Sequence, residues 1–134
     1  MTAREYLTQV MDAEARIEAL AAQMACLARL QMQGERALPA GDEMIQKIAE
    51  VKEKLRAEIE GWIAQRRAAQ RAIASMEKES HRMLLEYRYL CGWDWRRVAL
   101  KMHYSLDRMW HLHAEALREF PVPEKAVPAE GGEG

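Results

Sequence analysis

Residues 82–120, RMLLEYRYLCGWDWRRVALKMHYSLDRMWHLHAEALREF, decide how this chain is read. The stretch predicts a short helix, a turn at Gly92, and then two helices at helix-turn-helix spacing. Val98, Ala99 and Met102 supply the inner face of the first of the two. His103 and Tyr104 make the turn, and Ser105 stands at the N-cap, where its side-chain oxygen can accept from an unpaired amide of the next turn. Met109, Leu112, Ala116 and Leu117 recur at helical spacing and give the second helix one buried face. Pro121 has no amide to continue the ladder and ends it. A unit of this shape offers the start of its second helix to the major groove, so double-stranded DNA is the first partner to expect.

Upstream, the pattern predicts a long antiparallel helical hairpin, coiled-coil-like, over residues 1–78. Thr2 and Glu5 form an S/T-x-x-E capping box. Val10, Ala13, Ile17, Leu20, Met24 and Leu27 follow 3-4 spacing. The pattern lapses over residues 31–42, where Gly34, Pro39 and Gly41 predict a loop and Asp42 a cap for the next helix. Ile45, Ile48, Leu55, Ile59, Trp62, Ala69, Ile73 and Met76 form the second seam, interrupted by Lys52 and Arg66. This second helix is expected to outlast the first by several turns, with Ser75 or Ser80 capping the helix after it. Two helices alone bury little, so the hairpin should pack on residues 82–120 or, as the favoured expectation, pair with a second copy into a homodimer.

Composition agrees with an all-α regulator of modest size. The chain has 134 residues, 49% of them hydrophobic but only one Phe, and Ala and Met supply much of the apolar content. It contains no apolar run long enough for a membrane span and no secretory leader pattern, so the expected location is cytoplasmic. Cys26 and Cys91 are read as reduced core thiols. The formal net charge of −1 hides an asymmetry: residues 1–61 hold 8 Lys+Arg against 11 Asp+Glu, and residues 62–120 hold 11 against 7. The helix-turn-helix half is thus modestly basic, which favours phosphate. The tail 121–134, PVPEKAVPAEGGEG, has almost nothing to bury and is read as disordered.

The string YRYLCGWDWRRVALKMHYSLDRMWHLHAEAL resembles region 4 of bacterial sigma factors. It is closer still to the small phage and prophage sigma-factor-like regulators of the ArpU type. The landmarks are Arg88-Tyr89-Leu90 with Gly92, a Trp-led scaffold helix from Trp95 to Ser105, and a recognition helix ending in His113 with Ala116-Leu117. The likeness covers under a third of the chain, with a looser one at MTAREYLTQV. It implies a DNA-binding transcriptional regulator in a bacterial host, acting beside host RNA polymerase. By the same resemblance Leu106, Asp107, Trp110 and His111 face base edges. Asp107 would accept from a cytosine amino group, His111 would donate to a purine N7 or a phosphate, and Leu106 would touch a thymine methyl. Leu106 and Trp110 stand where the family carries cations, which puts apolar surface on the exposed face. That surface also fits a protein contact.

Backbone contacts fall to Arg96 and Arg97 in the first turn of the scaffold helix, with Lys101, Tyr104, Ser105 and Arg108 along the same edge. Arg66, Arg67 and Arg71 form a second cluster, read either as a phosphate contact or as a solvated helix face. Trp95 is expected in the core. Trp93 is expected either beside DNA or packed on the turn. Of Tyr87 and Tyr89, one should be buried. His111 and His113 diverge, and no cysteine pair completes a zinc set; no phosphate loop or nucleophile elbow is present either. The chain is therefore read as a non-enzyme without metal or cofactor. Its domains are a hairpin (1–78), a helix-turn-helix (79–120) and a tail (121–134). Two other readings stay open: a protein-interaction module contacting a host protein such as RNA polymerase, and a small-terminase-like DNA-packaging accessory.

Overall fold

The computed structural model of the chain describes residues 1–37 and 42–123, and among these it is all-helical. The helices are α1 (Ala3–Ala37), α2 (Asp42–Ala74), α3 (Glu79–Leu85), α4 (Trp95–Met102) and α5 (Leu106–Glu119). A π-helical turn, Glu86–Leu90, prolongs α3. No helix among the described residues is long and apolar enough to cross a membrane.

The start of α1 is built as its capping box dictates. Thr2 N donates to Glu5 Oε1 at 2.9 Å, and Glu5 N donates to Thr2 Oγ1 at 3.1 Å. The helix then runs on to Ala37, into the segment expected to be a loop, with Gly34 inside it. One helical glycine costs only about 1 kcal/mol, while the residues around it, Gln31 to Gln33, are good helix formers. At 35 and 33 residues α1 and α2 are near equal in length, so α2 does not outlast α1. Asp42, expected as the cap, is the first residue of α2, while the turn residues Pro39 and Gly41 and the tail beyond 123 lie outside the described residues.

α1 and α2 lie side by side and antiparallel. Tyr6 Oη donates to the Gln65 carbonyl at 3.3 Å, Arg16 Nη2 to Glu58 Oε2 at 3.2 Å, and Lys52 Nζ to Gln31 Oε1 at 3.2 Å. The buried face differs from the expected seam in two ways. It starts earlier, with Tyr6 and Leu7 fully buried. It also turns Gln65 inward instead of Arg66, and Gln65 Nε2 donates to Gln9 Oε1 at 3.2 Å. Arg66 is half-buried and donates to the Leu90 carbonyl at 3.1 Å.

Neither Ser75 nor Ser80 caps α3. Ser75 Oγ donates back to the Ala72 carbonyl at 2.7 Å, Ser80 lies within α3, and Lys78 stands at the N-cap with no side-chain bond. Arg82 holds the connection instead, its Nη1 donating to the carbonyls of Met76 and Glu77 at 2.6 and 3.0 Å. Cys26 and Cys91 are both exposed free thiols, not core residues.

One core joins what the sequence pattern divides at residue 78. Tyr6, Leu7, Val10, Ala69 and Ile73 share a single cluster with Leu84, Leu85, Val98, Met109, Ala116 and Phe120. Tyr6 and Phe120 rings lie 5.9 Å apart, closing α1 against the end of α5.

Candidate nucleic-acid interface on α4 and α5

α4, a turn of three residues and α5 stand on this core with both helix starts capped. Asp94 accepts from Arg97 N at 2.8 Å, and Ser105 accepts from Arg108 N at 3.1 Å. Between them His103 adopts the left-handed conformation (φ 62°, ψ 41°), with Tyr104 N donating to the Ala99 carbonyl at 3.0 Å. Ser105 was legible as a cap. Asp94 carries the same signature, an acidic residue directly before a Trp-led helix, and was not among the expected caps.

The helices are two-faced. Val98, Ala99, Met109 and Ala116 are buried, with Met102, Leu112 and Leu117 half-buried beside them. On α5, Asp107 and His111 point away from that face and Leu106 and Trp110 stand at its margin; all four are exposed, as are Arg96, Arg97, Lys101 and Arg108. Tyr104 is half-buried in the turn.

Aromatic rings hold two of the cations. The Arg97 guanidinium sits 3.8 Å over Trp93, and Trp93 stacks on Tyr87 with centroids 4.6 Å apart and planes 5° from parallel. Arg108 lies 5.0 Å over Tyr104. Such contacts are worth about 0.5–1 kcal/mol at exposed sites and restrict where the charge can go. Trp93 is thus turn-packed. Arg88 completes the frame, donating to the Trp93 carbonyl at 2.9 Å and lying 4.8 Å over Trp95. Arg66 is neither a free cation nor part of a solvated face, being half-buried and spent on the Leu90 carbonyl, while Arg67 and Arg71 are exposed.

Trp95 is half-buried and packs against the core at its edge, where its ring meets Trp110 (4.9 Å) and His113 (4.5 Å). His113 is the residue that the apolar spacing missed. It is buried, with Nε2 2.8 Å from Tyr89 Oη. Burial pushes the His113 pKa down to about 4, with Arg4 and Arg88 adding to the effect. Burial likewise raises the Tyr89 phenol, so two neutral groups share this hydrogen bond. Of the two tyrosines, Tyr89 is the buried one and Tyr87 the half-exposed one. His111 diverges from His113, as its spacing requires, and its Nδ1 lies 3.0 Å from the Asp107 carbonyl. A carbonyl only accepts, so Nδ1 carries the proton. In that tautomer Nε2 is left as an acceptor.

No group of three or more metal-ligating side chains gathers among the described residues. Compared with known proteins, the chain matches no family model, no curated protein and no solved structure.

Proposed function

We propose that α4, the turn and α5 form a helix-turn-helix of sigma region-4 type that binds double-stranded DNA. In this reading α1 and α2 form a helical hairpin that dimerises, and the protein is a phage- or prophage-type transcriptional regulator in the bacterial cytoplasm. The observation that carries the reading is the two-faced α5. Its inner residues close the core, while Leu106, Asp107, Trp110 and His111 lie open beside cations anchored on aromatic rings.

In this arrangement Arg96 and Arg97 meet phosphate where the α4 amides begin, with Lys101, Arg108 and the Ser105 hydroxyl along the same strand. Asp107 accepts from a cytosine amino group and Leu106 packs on a thymine methyl. His111, with Nδ1 turned to the Asp107 carbonyl, accepts at Nε2 from an exocyclic amino group, where the resemblance implies a donor. A dimer doubles these contacts, which a single unit of modest charge needs.

The second reading is a protein contact, with host RNA polymerase as the natural candidate partner. It is favoured by the exposure of Leu100 (77%), Leu106 (41%) and Trp110 (46%) on this one unit. A packaging accessory would require ring-sized assemblies.

The test is fluorescence anisotropy of labelled duplexes from the regions flanking the gene, titrated with salt. Arg96→Ala/Arg97→Ala/Arg108→Ala is expected to lower affinity for every duplex and to reduce the salt slope by about three counterions. Absence of binding at low salt would reject the DNA reading and turn the search to proteins captured by Leu106 and Trp110.

A further inference from the structure

The end of the α1–α2 pair remote from α4 and α5 carries an apolar surface that the chain itself leaves open. Leu30 (48% exposed) and Met44 (62%) flank a shallow cleft of about 430 Å3, whose walls also include Gln33, Gly34 and Ile48. Val51, one turn beyond Ile48 on the same side of α2, is exposed as well, and Cys26 stands one turn before Leu30 on α1. The seam under this surface is incomplete. Met24, Leu27, Ile45, Ile48 and Leu55 are all only half-buried, because two helices cannot enclose the residues between them.

We infer that this face is the interface between two copies of the chain, which assemble there into a four-helix arrangement. Charge selects the occupant. Over residues 21–34 (AAQMACLARLQMQG), α1 carries one charged residue, Arg29. On α2, residues 43–54 hold three Lys against three Glu, so the face as a whole is near neutral: a strongly acidic or basic partner gains little from it, whereas its own copy meets it across a two-fold axis without net like-charge repulsion. Its extent is sufficient. Two neighbouring helices open over ~20 Å each offer faces that together bury roughly 1,000 Å2, the lower bound for a specific association. Ala21, Ala22, Ala25 and Ala28 add little bulk, so helices can approach closely there. The inference deepens the dimer proposed above and gives it an address. It does not depend on DNA binding, so a failed duplex titration would leave it standing.

The test is sedimentation equilibrium of the full chain from about 1 to 200 μM, with helicity followed by circular dichroism. The wild type is expected to be a dimer at the upper end. Leu30→Glu/Met44→Glu should weaken association at least about 100-fold, since pairing would bury carboxylates without partners, while Leu100→Glu, on α4, should leave it unchanged. A short bis-maleimide linker on the wild type gives a second readout that needs no destabilising change. Covalent dimers should form in Cys91→Ser and vanish in Cys26→Ser. A wild type monomeric throughout overturns the inference, and so does a dimer that survives the double Glu substitution or cross-links through Cys91 alone.

Discussion

The two halves of the α1–α2 pair are made of similar helix-forming residues, yet they bury very different amounts. In the half near α3 and α5, Tyr6, Leu7, Val10, Ala13, Leu20, Gln65, Ala69 and Ile73 are all buried. In the other half no described residue between 21 and 64 is buried. The difference lies in what covers them. The near half is closed by α3, the π-helical turn and α5, which supply Leu84, Leu85, Tyr89 and Phe120. The far half has only its partner helix. A two-helix contact is a seam and not a core, and enclosing an apolar residue takes at least a third element.

Substitutions that break or sharpen this contrast can be ranked. The largest effect belongs to the covered core: Leu84→Ala should cost about 3–4 kcal/mol in urea denaturation, against about 1 kcal/mol for Leu27→Ala in the half-open seam. Equal costs would mean that the far half is enclosed after all. Next is pH. His113 in the covered core has its pKa lowered to about 4 from the ordinary 6.5, so the unfolded chain takes up this proton first as pH falls. Stability contributed by the neutral ring is therefore intact above pH 6.5 and lost progressively toward pH 4, by on the order of 3 kcal/mol in total. The slope in that window should disappear in His113→Gln, whose amide does not titrate. A flat wild-type profile would show that the ring is hydrated.

Ser105→Ala removes one capping bond of α5 and should cost about 1 kcal/mol. Smallest is Leu30→Ala. In dilute protein it should change stability by no more than about 0.5 kcal/mol, because the side chain is exposed in the monomer. A larger loss that grows with protein concentration would show the far face to be covered by a second copy.

The α4 and α5 unit is largely legible in the sequence, since its signals are local. Ser105, the apolar spacing of α5, and the stop at Pro121 each act within one or two turns of chain. The same holds for the capping box at Thr2 and Glu5. The errors arose where one element decides the environment of another. Gly34 and the polar residues around it resemble a loop in isolation, yet α1 runs through them packed along α2, with Ile45 beside Gly34.

Gln65 and His113 are polar and were therefore left off the buried faces. Each is inside because a partner, Gln9 or Tyr89, is delivered by another helix. Of Trp93 and Trp95 the sequence favours the second for burial, yet both are half-buried. The backbone reversal at Gly92 (φ 74°) brings Tyr87 against the first of these, and the packing of α5 brings Trp110 and His113 against the second.

Helix content, the starts of α1 and α5 and the two-faced pattern of α5 were thus determined by the sequence alone, because capping and periodicity depend on neighbours in the chain. Only the tertiary structure decided which residues are enclosed, which arginines are spent on carbonyls, and which half of the long pair stays open. Burial is a property of surfaces brought together from distant positions, and no local pattern of residues specifies it.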